Sequence, residues 1–238
     1  KINAQDIAGT GIDYNAEIMY KILANRLDID NPNVEAVIAN SAVGFIVAGK
    51  ASSISEGVEI ARTVLNSGKC IDKLKEFAQQ NFPVPEVTSY LQNLNLNENE
   101  LKFYSFHKEN FYTRNLIHKD SDFELMVICW PPNTSAPIHG HEGEKCWARV
   151  QEGQLQICNY EEISSEPLEL NMTQKLSCSP GFLDGPADIH SVENLSDKFA
   201  ISLHVYAKPY DACNIYDTKN EKIERMKLSY YSINGVIC

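Results

Sequence analysis

Residues 135–153 read SAPIHGHEGEKCWARVQEG, and this stretch constrains the chain more than any other. His139 and His141 stand one residue apart in a turn punctuated by Gly140 and Gly143, and an apolar/polar alternation that predicts a β-strand follows from Cys146 to Val150. In an extended segment the side chains of residues i and i+2 leave the same side, so an H-x-H pair directs two imidazoles at one point in space. That is the geometry of a metal site carried on a sheet.

The surrounding sequence supplies such a sheet. Residues 123–130, 146–151, 154–160 and 199–206 are rich in β-branched and aromatic side chains with Gly and Pro between them, as in an antiparallel sandwich or barrel. Glu152-Gly153 reads as a hairpin turn between two of these strands.

The first ~80 residues have a helical period instead. From Asn15 to Leu27 the residues Ile18, Met19, Ile22 and Leu23 form one stripe, with Asn15 as cap and a polar break at 28–33. A second helix is predicted from Asn33 to Val47; its small residues suit close packing, and Gly49 stops it. Ser53 and Glu56 have the spacing of a capping box before a helix at 54–65, Ser67-Gly68 is expected to break it, and 70–79 forms one more amphipathic segment. Pro83 and Pro85 mark a linker, with a short helix at 87–94 beyond it. The expected organisation is a helical segment over 1–80 and a β domain over 81–238.

With 21 Lys+Arg against 32 Asp+Glu, the net charge of −11 argues against a phosphate backbone or an anionic membrane surface as partner. The longest apolar runs, 42–48 and 125–130, fall far short of the roughly 20 residues that a bilayer requires. No basic-then-apolar leader opens the sequence. The seven cysteines are scattered without a C-x-x-C pair, which fits reduced thiols and a cytoplasmic setting.

A metal site needs a third protein ligand. Of His107, His118, His190 and His204, we select His190, which follows the Gly185-Pro186 turn into a new strand. His107 and His118 are expected to be ordinary structural residues. Three neutral imidazoles suit Fe(II), Zn, Cu or Ni alike.

Five separated motifs bear on that choice: FYTRN at 111–115, LMVICW at 125–130, the H-G-H segment with Cys146 after it, DIHSVEN at 188–194, and SLHVY at 202–206 leading into YDAC at 210–213. In this order they resemble the cysteine dioxygenases of the cupin superfamily, from about residue 82 onward. The resemblance implies a mainly β fold, a small antiparallel cupin barrel preceded by an N-terminal α-helical segment. It implies His139, His141 and His190 as ligands of Fe(II), Arg114 and Tyr112 as the groups that hold a substrate carboxylate, and Trp130 and Leu228 as pocket walls. Cys213 falls near the pocket mouth. Cys146 and Tyr206 match a pair that becomes a thioether crosslink, and Ser202, His204 and Tyr206 alternate on one strand face as a hydrogen-bonding chain.

The implied reaction joins L-cysteine, bound as thiolate, and O2 into cysteine sulfinate. The alternatives are a dioxygenase of another small thiol such as 3-mercaptopropionate, which Cys146 and the setting of Arg114 disfavour, and a non-catalytic thiol-sensing or structural cupin. Gly140 stands where that family often has an acid, and Lys145 where it often has His.

Residues 15–23 and 31–77, with the ANSA, VAGKA and SISEGV segments, resemble the C-terminal end of anthranilate phosphoribosyltransferases. The Gly-rich pyrophosphate loop of those enzymes has no counterpart in the chain, so this segment is expected to serve self-association or intramolecular packing.

Overall fold

Apolar alternation and helical periodicity divide the chain as its composition suggests, helices first and strands after. The computed structural model describes residues 4–23, 27–28, 30–94, 96 and 98–238. After a 3-10 turn at Ala4–Ile7 come α1 (Ile12–Leu23), α2 (Pro32–Val47), α3 (Ile54–Gln79), α4 (Val84–Asn93) and α5 (Glu98–Tyr104). The strands are β1 (Thr113–Lys119), β2 (Phe123–Trp130), β3 (Thr134–His139), β4 (Cys146–Glu152), β5 (Leu155–Ser165), β6 (Leu168–Cys178) and β7 (Leu183–Ala187). They continue with β8 (Ile189–Asn194), β9 (Ala200–Ala207), β10 (Ala212–Asp217), β11 (Lys222–Lys227), β12 (Ser232–Ile233) and β13 (Val236–Ile237). The chain divides into two compact units, 1–74 with 97–103, and 75–96 with 104–238.

In the first unit, α1 starts at Ile12, so Asn15 lies inside it rather than at its cap. Residues 24–26 of the expected helix fall outside the described residues. Ile22 is buried, whereas Met19 and Leu23 of the expected stripe are exposed. Asn31 caps α2, its side chain accepting from the backbone N–H of Asn33 at 3.0 Å, and Gly49 ends it at φ +67°, in the left-handed region. The small-residue surface is used: a Cβ added to Gly57 of α3 would stand 2.6 Å from the carbonyl oxygen of Ala42. The capping box forms one residue out of register, for Ser53 Oγ accepts from Glu56 N at 3.2 Å while the Glu56 carboxylate accepts from Ser52 N at 2.7 Å. Ser67-Gly68 does not break α3, which runs unbroken to Gln79. A glycine inside a helix costs only about 1 kcal/mol relative to Ala.

The second unit is mainly β, with two sheets rather than the one closed barrel expected. Seven strands pair in the order β13-β12-β1-β2-β9-β4-β7 and six in the order β11-β10-β3-β8-β5-β6. All pairings are antiparallel except β1 with β12. β2 and β9 are buried along their whole length, as the near-continuous apolar runs at 123–130 and 200–207 require. Met126, Ile128, Trp130, Val150, Leu155 and Ile157 fill the core, each such side chain contributing about 1.5–3 kcal/mol on burial.

Glu152-Gly153 is not a hairpin. β4 pairs with β7 and β9 in one sheet and β5 with β6 and β8 in the other, so this turn carries the chain between sheets. Gly153, at φ +73°, has its backbone so close to Phe199 that a Cβ would stand 2.6 Å from the Phe199 carbonyl oxygen. The short helix expected after the linker is α4, which starts at Val84, and Trp147 Nε1 donates to Thr88 Oγ1 on it at 3.1 Å.

Candidate metal centre

The antiparallel register of β3 and β8 sets His139 directly opposite His190. The turn after β3, in which Glu142 and Gly143 both have positive φ, folds His141 back beside them. Ring centroids lie 5.2 Å apart for His139 and His141, 4.8 Å for His139 and His190, and 4.6 Å for His141 and His190. One nitrogen from each of the three lies within 4.8 Å of the others. His141 and His190 are buried, and His139 is half-buried at the cavity wall.

Backbone carbonyls fix two of the tautomers. Nδ1–H of His139 donates to the Pro137 carbonyl at 2.8 Å, and Nδ1–H of His141 to the Asp188 carbonyl at 2.6 Å. A carbonyl only accepts, so Nδ1 must carry the proton and Nε2 keeps its lone pair. Burial lowers the pKa of His139, and burial together with His139 and His204 lowers that of His190 well below the usual imidazole value. Convergent imidazoles, two of them with committed Nδ1 protons, fit a divalent transition metal.

The cavity beside them is narrow, about 30 Å³, and Arg114, Trp130, Tyr206, Tyr210, Cys213 and Leu228 help to line it. Arg114 is buried; Nη2 lies 3.6 Å from Glu124 Oε1, the guanidinium stacks 5.3 Å from the Tyr230 ring centre, and Nη1 has no hydrogen-bond partner among the described residues. Burial alone would depress the Arg114 pKa, but Tyr206, Glu124, Tyr210 and Tyr230 outweigh it and hold the charge on. Tyr112 stacks on Trp130 at 5.1 Å.

From Trp130 a buried hydrogen-bond chain crosses β2 and β9. Trp130 Nε1 donates to Ser202 Oγ at 2.8 Å, Ser202 Oγ meets His204 Nε2 at 2.8 Å, and His204 Nδ1 meets the Tyr206 hydroxyl at 3.3 Å. An indole N–H is only a donor, so the serine accepts from it and keeps its own proton to give to His204 Nε2, the arrangement in which every member of the chain has a partner. His204 then carries its proton on Nδ1 and donates to the Tyr206 oxygen. The phenolic proton of Tyr206 is thereby free to point into the cavity. Burial pushes the Tyr206 phenol far above its usual pKa, so it remains a donor.

Each residue singled out in the sequence therefore stands at or beside one site, Cys146 as the register partner of Tyr206. His107 and His118 stand elsewhere, packed on Phe199 and bonded to Asp120. Lys145 donates to the carbonyls of Asn81 and Phe82, and a side chain at Gly140 would crowd the Tyr216 hydroxyl at 3.3 Å. Sequence reasoning assigned no role to Glu124, Tyr210 or Asp184. Tyr210 stood in the YDAC motif; the other two sit among apolar strand residues, where a lone acid was the available signal.

The family described as Cysteine dioxygenase type I matches residues 55–219, and the Glycosyl transferase family, a/b domain, matches residues 1–71. The chain is 26% identical over 165 residues to cysteine dioxygenase type 1 of Rattus norvegicus, covering 67% of this chain and 82% of that protein. It is 35% identical over 79 residues to an anthranilate phosphoribosyltransferase of Streptococcus thermophilus, covering 33% of this chain but 23% of that enzyme. A solved structure from Thermus thermophilus aligns over 48% of this chain and 98% of its own, at 18% identity and a TM-score of 0.38.

Proposed function

Since the chain belongs to the cysteine dioxygenase type I family, we propose that it is an Fe(II)-dependent thiol dioxygenase that converts L-cysteine and O2 to cysteine sulfinate. One observation carries the choice of substrate: a buried, charged Arg114 with Nη1 unpaired lines the same cavity as His139 and His190. An unpaired buried donor is costly, and a carboxylate is the ligand whose paired oxygens match a guanidinium.

His139, His141 and His190 would hold the iron, which, when bound, supplies the one-electron chemistry that lets O2 react with a thiolate. All three are neutral ligands, so the site keeps a positive charge that favours an anionic sulfur. Arg114 anchors the substrate carboxylate, with Tyr112 held in place by its stack on Trp130. That fixes the thiol end toward the histidines and converts an encounter into a positioned reaction. Tyr206 offers its phenolic proton to the cavity, oriented by His204 and Ser202, and so hydrogen-bonds oxygen as charge develops there. The thiol sulfur gains both atoms of O2, and no external reductant is needed.

We place the protein in a reducing, cytoplasmic setting on the scattered spacing of its seven cysteines, which form no C-x-x-C pair. No helix among the described residues is long and apolar enough to cross a membrane.

The test is O2 consumption and sulfinate formation by the Fe(II)-loaded chain, with L-cysteine, 3-mercaptopropionate and cysteamine compared. Cysteamine lacks the carboxylate and should turn over poorly. Faster turnover of cysteamine than of L-cysteine would show that Arg114 does not select the substrate.

A further inference from the structure

The three metal-site histidines differ in what stands behind them. His139 and His141 each lean on a neutral backbone carbonyl, whereas a carboxylate oxygen, Asp184 Oδ2, lies 3.6 Å from His190 Nδ1. At that distance no hydrogen bond has closed. Yet both atoms are buried, and neither has any other hydrogen-bond partner among the described residues. A buried polar atom without a partner keeps its full desolvation penalty, and here two such atoms lie next to each other.

Asp184 reaches this place from β7, the edge strand of the seven-stranded sheet, while His190 lies on β8 in the six-stranded sheet. Its other oxygen is anchored there, with Asn159 Nδ2 donating to Oδ1 at 3.3 Å. Asn159 is itself the register partner of His190 across β5 and β8. The carboxylate is thus held on one side, and its remaining oxygen is turned to the ring.

We propose that Asp184 is a positioning residue for the metal: Oδ2 accepts a hydrogen bond from Nδ1–H of His190, which fixes the ring and leaves Nε2 as the ligand atom. This inference rests on the three-histidine reading of the site. It also assigns a role to a carboxylate that the ligand set lacks. The negative charge sits one layer behind the metal, where it raises the basicity of a single imidazole without neutralising the centre. A carboxylate behind a ligating histidine typically contributes about 10–100-fold to metal affinity.

The experiment is competition between the metal-free full chain and a chromogenic chelator for Co(II), with the visible absorption of the bound Co(II) as a second readout. Asp184→Asn keeps the shape and the anchoring by Asn159 but removes the charge. It should bind Co(II) about 10–100-fold more weakly and shift the absorption band. Asn159→Ala, which leaves the charge and loosens its anchor, should weaken binding less. A purely architectural Asp184 would lower the melting temperature of the metal-free variant while leaving Co(II) affinity and spectrum unchanged, and that result overturns the proposal. Should Asp184→Asn fail to fold, wild-type affinity and spectrum in Asn159→Ala would overturn it as well. If the wild-type chain binds neither Co(II) nor Fe(II), the metal site itself is wrong and this inference falls with it. Tight wild-type binding with an unaltered Asp184→Asn sinks the inference alone.

Discussion

Cys146 on β4 and Tyr206 on β9 face each other as register partners across the seven-stranded sheet, and both are buried. Directly opposed residues of an antiparallel pair have Cβ atoms about 5 Å apart, within reach of a bond between the thiol sulfur and the phenol ring. Burial raises the pKa of both, so neither is charged at rest, and joining them requires an oxidant. With Fe(II), thiol and O2 present, the chain should lose two hydrogens in intact-mass measurement as the C–S bond forms, with O2 taking the electrons. Cys146→Ser should show no loss. An unchanged wild-type mass after many turnovers would refute the crosslink.

Arg114→Ala should lower kcat/KM for L-cysteine by about 30–1,000-fold, the scale of losing one buried charged hydrogen-bonding partner, about 2–4 kcal/mol. Metal binding should survive the change, because Arg114 supplies none of the three ligand nitrogens. The same change strips Glu124 of its cation, and burial already raises the Glu124 pKa. Calorimetry should therefore show a less stable protein, and Arg114→Ala with Glu124→Gln should recover stability without recovering turnover.

Ser202→Ala removes the link between Trp130 and His204, leaving Trp130 Nε1 and His204 Nε2 without partners. Two lost buried hydrogen bonds place the cost at about 1–3 kcal/mol of stability by denaturant titration. The larger effect should be on kcat, since the His204 tautomer that releases the Tyr206 proton is no longer enforced. A Ser202→Ala enzyme with wild-type kcat would contradict the chain of donors.

Burial, with His141, His139 and Arg114 adding to it, lowers the folded pKa of His204 to about 3. The unfolded chain takes up that proton near pH 6.5, so the unfolded state binds more protons between these values and stability rises with pH. The contribution is complete above about pH 6.5 and is lost as pH falls toward 3, at about 1.4 kcal/mol per pH unit for one histidine. Urea titrations of the metal-free protein from pH 7 to 4 should show at least this slope, because the lowered pKa values of His139 and His190 add to it in the same sense, and in His204→Gln it should become shallower by one histidine's share.

The histidine set was legible because its signals are local: an H-x-H spacing, a strand after it, and a later histidine entering another strand. β2 and β9 were legible for the same reason, as near-continuous apolar runs. Gly153 shows where local reading ends. Turn chemistry specifies a positive φ and says nothing about which sheet the next strand joins, so a crossing between sheets looked like a hairpin. Ser67-Gly68 failed differently, because a helix with good turns on both sides tolerates one weak position. Glu124 and Asp184 had no pattern to betray them. Each matters only because β2 meets β1, or β7 leans over β5 and β8, and those meetings are set far along the chain.

The most direct measurement loads the metal-free chain anaerobically with Fe(II), adds L-cysteine, then supplies isotopically heavy dioxygen and weighs the product. The account predicts cysteine sulfinate carrying both heavy oxygen atoms, with one O2 consumed per sulfinate and no product from the His190→Ala chain. A sulfinate that takes oxygen from water, or iron bound without any oxidation of cysteine, would contradict it.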